Sequence, residues 1–161
     1  MPLLGKDRSR RWLLDAIEAA RASHDFDLWA YVIMPEHVHM LVLPPDGARI
    51  RSILKSVKQS VARKAVNWTR RNRPEFLPRL LDQQPSGRRS YRFWQPGGGY
   101  DRNIWTAQEL HEKVKYIHAN PVRRGLVASP EDWLWSSWHA WQTGIDEPIA
   151  IDRESFPPIE R

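Results

Sequence analysis

A chain of 161 residues and 18.9 kDa with 41% apolar residues and nine Trp holds enough material for one domain with a buried core, and little room for two. No run of about 18 apolar residues occurs, residues 1 to 20 mix basic and acidic groups where an export signal needs an apolar centre, and the absence of Cys excludes disulfides, thiolate metal sites and thiol nucleophiles. Lys and Arg outnumber Asp and Glu by 25 to 19, giving +6 and a pI near 10.0, so a non-membrane, cytoplasmic protein with a polyanionic partner is expected.

Residues 8 to 22 place Leu13, Ile17 and Ala20 at helical spacing and predict an amphipathic helix. Asp27 to Ile33 and His37 to Leu43 are rich in β-formers around a Met-Pro-Glu turn, which predicts a hairpin closed off by Pro44-Pro45-Asp46-Gly47. From Arg49 to Arg73 there are nine Lys or Arg and no acid. Ile50, Leu54, Val57, Val61, Ala65 and Trp68 form one stripe there, so the segment reads as a helix with a buried face and an electropositive one. Residues 72 to 100 contain four Pro and four Gly and read as an irregular insertion, with one further strand at Ser90 to Trp94 and a flexible joint at Gly97 to Gly99. Thr106 and Glu109 have the spacing of a capping box, with Trp105 able to staple onto Leu110, ahead of a helix that should end near Asn120 before Pro121 and Gly125. Trp133, Trp135, Trp138 and Trp141 predict an aromatic element covering the core, with base stacking as the lesser reading.

Two groups of residues carry chemistry. In a strand, side chains alternate, so His37 and His39 leave from the same face and can chelate one ion, while Val38, Met40 and Val42 turn to the core. By itself an H-x-H pair is as compatible with chance as with a metal. Tyr116 and Asn120 are four apart and share one side of the last long helix, whose own burial is supplied by Leu110, Val114 and Ile117. An amphipathic core Tyr whose hydroxyl reaches water and a helix-terminal Asn are the ordinary readings of those two. Glu36 reads first as a turn residue and otherwise as a further ligand, whereas His111 and His118 read as exposed helix histidines.

Met34-Pro-Glu-His-Val-His-Met-Leu-Val42 resembles the M-P-x-H-V-H-L-L-V hairpin of the single-tyrosine HUH transposases. Tyr116-Ile-His-Ala-Asn-Pro-Val-Arg-Arg-Gly-Leu-Val127 resembles the Y-I-x-x-N-P-V-R-A-G-L-V segment of their REP-associated group, and Asp132-Trp-Leu-Trp-Ser-Ser137 extends the likeness. The resemblance runs over roughly residues 8 to 141. It implies a ferredoxin-like α+β domain, placed over residues 1–145, and cleavage of single-stranded DNA beside hairpins formed by palindromic repeats, in DNA transposition and recombination. By composition, residues 146–161 are acidic on balance and read as a flexible tail. Carried onto this chain, the resemblance makes Tyr116 the nucleophile that forms a covalent 5′-phosphotyrosine, and His37, His39 and Asn120 the ligands of a divalent metal, Mg²⁺ or Mn²⁺. Arg51, Lys55, Lys58, Arg63, Lys64, Lys115, Arg123 and Arg124 are the candidate nucleic-acid contacts.

A non-cleaving DNA-hairpin binding protein is the alternative, and a barrel hydrolase using H-x-H is excluded by size, since such barrels need about 250 residues. Either a monomer or a homodimer is compatible with the sequence. The resemblance also implies a central strand ahead of the first helix, for which Pro2, Gly5 and the brevity of Leu3-Leu4 leave no room. An incomplete sheet is therefore expected, with the start lying upstream, the histidine strand pairing with Ser90 to Trp94, or a second copy lending an edge.

Overall fold

The computed structural model describes residues 3–96 and 99–159, so the joint expected at Gly97 to Gly99 lies largely outside the described residues. Helix α1 (Asp7–His24) leads into an antiparallel hairpin of β1 (Asp27–Ile33) and β2 (Val38–Leu43), followed by α2 (Ile50–Asn72). A short 3₁₀ turn (Pro74–Phe76), α3 (Leu77–Leu80) and a small hairpin of β3 (Leu81–Gln83) and β4 (Arg89–Tyr91) come next. Helix α4 (Ala107–Arg123), a second 3₁₀ turn (Pro130–Asp132) and α5 (Trp138–Thr143) complete the α+β fold.

The β1–β2 hairpin is the middle layer. Val38, Met40 and Val42 pack with Leu28, Tyr31 and Ile33 against Leu13, Leu14 and Ile17 of α1 and Ile53, Val57, Val61 and Ala65 of α2. Leu41 joins Trp29, Ala30, Val32 and Met34 on the other face, under Leu110, Val114 and Ile117 of α4. A register shift between Leu28 and Ala30 turns Trp29 and Ala30 to the same face, as a bulge does. Covered on both sides, β1 is almost wholly buried, which is why its sequence is a continuous apolar run rather than an alternation.

The expected incomplete sheet is observed, in a form the sequence did not specify. Ser90 lies in β4, which pairs with β3 and not with the histidine strand. Instead the second edge of β1 is taken up by a later, irregular segment. Ile33 N–H donates to the Trp135 carbonyl at 2.8 Å and Ser137 N–H to the Tyr31 carbonyl at 3.0 Å. Farther along, Leu28 N–H donates to the Asp152 carboxylate at 2.7 Å. Trp133 and Trp141 donate their indole N–H groups to the carbonyls of Ile33 and Trp29. Those tryptophans therefore seal the backbone of β1, the covering role, and are not free platforms for bases.

Three details are corrected. The stripe of α2 runs through Ile53 rather than Leu54, so Ile50 and Leu54 flank the buried face. Helix α4 passes through Pro121 to Arg123 before Gly125, at φ +67, ends it. Leu126 N–H bonds to the Pro121 carbonyl and Gly125 N–H to that of Val122, the pattern of a glycine-terminated helix. Thr106 does cap α4 by accepting from Glu109 N–H at 3.1 Å, but Trp105 is 83% exposed and makes no staple.

The segment beyond residue 145 is a fourth correction, because it packs against the body instead of hanging free. Phe156 lies edge-on to Trp29 and Trp141 with centroids 5.2 and 4.9 Å away, and Arg21 reaches Asp152 at 2.6 Å. Phe156→Ala should then cost about 3 kcal/mol of unfolding free energy, the low end for a buried Phe. A denaturant midpoint equal to that of the unsubstituted protein would show the tail to be undocked.

Candidate active site

The turn between β1 and β2 is tight, with Met34 N–H donating to the His37 carbonyl at 2.8 Å. His37 stands just before β2 and His39 within it, and their Nε2 atoms approach to 3.0 Å. The strand alternation that the sequence suggested thus reaches one residue beyond the strand. Both imidazoles have pKa values below the ordinary histidine range. Burial is the main cause for each, opposed at His37 by Glu36 and reinforced at His39 by His37 and Lys113. Burial thus favours the neutral imidazole, the form able to offer a lone pair to a cation.

Tyr116 comes to this pair from α4. Its ring centroid is 6.1 Å from that of His39, nearly perpendicular, and the residue is 38% exposed. Lys113 Nζ lies 4.6 Å from the Tyr116 ring centroid and the Arg123 guanidinium carbon 4.9 Å. Sequence reasoning misses Lys113, although it stands one turn before Tyr116 and so shares its side of the helix. Arg124 ties the end of α4 to the histidine turn, 3.6 Å from the Glu36 carboxylate, which is itself 4.0 Å from His37 Nδ1. Glu36 lies in the turn ahead of the strand, as its reading as a turn residue expected.

Asn120 is buried and donates its Nδ2–H to the Tyr116 carbonyl at 3.1 Å, which fixes the amide and leaves Oδ1 without a protein donor among the described residues. Among the described residues no group of three or more His, Cys, Asp or Glu gathers around one point.

Other expectations are redistributed. His118, expected to be exposed, is buried against Ser137 Oγ at 2.9 Å with its pKa lowered by burial to about 4, and half-buried His111 bonds the Pro157 carbonyl. Lys115 lines a small cavity with His111, His118 and Trp138 instead of standing over the Tyr116 ring. Arg51, Lys55 and Arg63 are exposed on α2, Lys58 is half-buried, and Lys64 pairs with Asp15 at 3.0 Å. Because α2 and α4 cover opposite faces of the hairpin, the structure does not bring these cations to Tyr116.

Residues 3–120 match the family described as "Transposase IS200 like". The chain belongs to the IS200-like transposase family. The REP-associated tyrosine transposase of Escherichia coli (strain K12) is 27% identical over 132 residues, which are 79% of this chain and 63% of that protein, so the chain spans less than two thirds of that relative's length. A Haemophilus influenzae protein that provisionally carries the same name is 27% identical over 146 residues, 83% of this chain and 75% of its own. The fold of this transposase is also similar to that of a REP-associated tyrosine transposase bound to a REP hairpin. The TM-score is 0.58 at 22% identity, over 96% of this chain and 83% of that one. Among the described residues no helix is long and apolar enough to cross a membrane.

Proposed function

We propose that this transposase cuts single-stranded DNA beside a hairpin by transesterification on Tyr116, with a divalent metal held by His37, His39 and Asn120. The observation that carries the reading is the meeting, on one face of the β1–β2 hairpin, of an exposed tyrosine with two imidazoles whose Nε2 atoms are 3.0 Å apart. In the step proposed, Tyr116 Oη attacks phosphorus, the bond from phosphorus to the 3′ oxygen breaks, and the phenolic proton is balanced by one taken up on the 3′ oxygen. The products are a 5′-phosphotyrosine and a free 3′-OH, so the reverse attack rejoins strands without an outside energy source.

Two imidazoles and an amide oxygen suit Mn²⁺ or Mg²⁺ and leave positions for phosphate oxygens. Such an ion, when bound, polarises the phosphodiester and stabilises the departing oxygen. The protein's own part is orientation. Lys113 and Arg123 bracket the tyrosine ring and add positive charge beside it, while the Arg124–Glu36 contact sets the end of α4 against the histidine turn. The test is incubation with an end-labelled oligonucleotide carrying a hairpin and single-stranded flanks. A covalent adduct that survives denaturant and disappears in EDTA supports the reading, whereas binding without adduct favours a non-cleaving hairpin binder.

The cations of α2 are proposed to hold the phosphates of the DNA stem. Replacing Lys55, Lys58 and Arg63 with Ala should weaken binding to every hairpin sequence alike, and should reduce the slope of log affinity against log salt by roughly 0.7 to 0.9 for each phosphate no longer neutralised. Salt titrations by fluorescence anisotropy measure that slope directly. An unchanged slope would leave α2 as a solvated surface.

A further inference from the structure

On the α1 and α2 side of the sheet, away from Tyr116, lies a cavity of about 950 Å³ that the cleavage chemistry does not use. Trp12 of α1, Trp68 of α2, Phe76 of the 3₁₀ turn and Phe93 beyond β4 line it. Trp12 and Trp68 are half-buried with centroids 6.3 Å apart and planes tilted by 56°, and Phe76 is 37% exposed. The rim is cationic. Lys6, Arg8, Arg73 and Arg79 border it against one carboxylate, Asp7, which is occupied by Arg10 at 3.2 Å. The Arg8 guanidinium stacks 3.9 Å from the Trp68 ring centroid and that of Arg79 4.9 Å from Phe76. Lys6, Arg8 and Arg79 have no carboxylate partner among the described residues.

Accessible rings interleaved with guanidinium groups suit unpaired nucleobases joined by phosphates, because bases stack on aromatic faces while the backbone follows the cations. A duplex cannot use the rings, since its bases are already stacked. An apolar ligand would have no use for the cationic rim. We propose that this cavity binds an unpaired segment of the DNA substrate, at a distance from the phosphate that Tyr116 attacks. The proposal rests on the reading of this chain as a protein of single-stranded DNA. It adds a second site, formed where the insertion after α2 leans on α1 and α2, with Trp94 Nε1–H anchored on the Lys58 carbonyl at 2.8 Å.

The experiment uses the full chain, a short fluorescein-labelled oligothymidylate as single-strand probe, and a flush DNA hairpin as duplex control. Phe76→Ala and Arg79→Ala alter exposed side chains, and Trp68→Leu tests the central ring, with thermal melting to verify folding. Loss of one stacking ring should weaken oligothymidylate binding about tenfold. Hairpin binding and the rate of adduct formation at saturating DNA should stay within about twofold. Should oligothymidylate bind the folded Phe76→Ala and Trp68→Leu variants as tightly as the unsubstituted protein, the proposal is overturned although cleavage stands. Equal loss for hairpin and single strand would likewise overturn it, by assigning the cavity to general DNA attraction. If the unsubstituted protein binds neither DNA, the underlying single-strand reading fails with it.

Discussion

Tyr116→Phe is expected to abolish the covalent protein–DNA adduct while leaving hairpin affinity within a few-fold. The substitution removes one oxygen from a residue 38% exposed whose hydroxyl bonds to no protein group among the described residues, so the fold loses nothing that the phenol supplied. The ring keeps its place beside His39 and between Lys113 and Arg123. A hydroxyl contributing one hydrogen bond to DNA is worth about 0.5–1.5 kcal/mol, which is a change of at most about tenfold in affinity. Loss of the attacking atom has no such ceiling, so binding and cleavage should separate cleanly. Adduct formation by Tyr116→Phe at the unsubstituted rate would assign the nucleophile elsewhere.

His37→Ala and His39→Ala are each expected to lose metal-dependent cleavage and to bind Mn²⁺ at least about 100-fold more weakly. That magnitude is a floor, because changing a residue that merely supports a metal ligand already costs 10–100-fold. Neither imidazole closes a buried contact that the fold depends on, since both are half-exposed at the turn end of the hairpin. The variants should therefore melt near the unsubstituted protein without metal, and fail to gain from Mn²⁺ the stabilisation that the unsubstituted protein gains by binding it. Calorimetric titration with Mn²⁺ provides the affinity independently of any activity. Undiminished cleavage in EDTA would remove the metal from the scheme altogether.

Local chemistry was legible wherever one element suffices to define it. Six apolar residues before Met34-Pro35, the Thr106 cap four residues ahead of Leu110, and the basic but acid-free stretch of α2 each announced an element that the structure contains. That His37 and His39 leave from one face followed from a strand's period, although His37 stands just before the strand. What periodicity does not reveal is which later segment seals an edge. Residues 135–137 and Asp152 bond to β1 across more than 100 positions of sequence, through a segment with no strand pattern of its own. Pro121 misled because a proline three residues from the end of a helix removes a single hydrogen bond near carbonyls that go unpaired in any case. His118 misled because its burial depends on Ser137, a partner no helix spacing indicates. At the candidate site, Lys113 and the Arg124–Glu36 contact needed the docking of α4 on the hairpin before they could be read.

The central claim is that Tyr116 becomes bonded to DNA, and mass spectrometry of the trapped complex tests it most directly. After incubation with a hairpin oligonucleotide and Mn²⁺, denaturation and digestion with protease and nuclease, the peptide containing Tyr116 should carry a 5′-linked nucleotide. The same peptide from a reaction in EDTA should carry none. Nucleotide found on another residue, or no modified peptide from a preparation that does cut the DNA, would contradict the account.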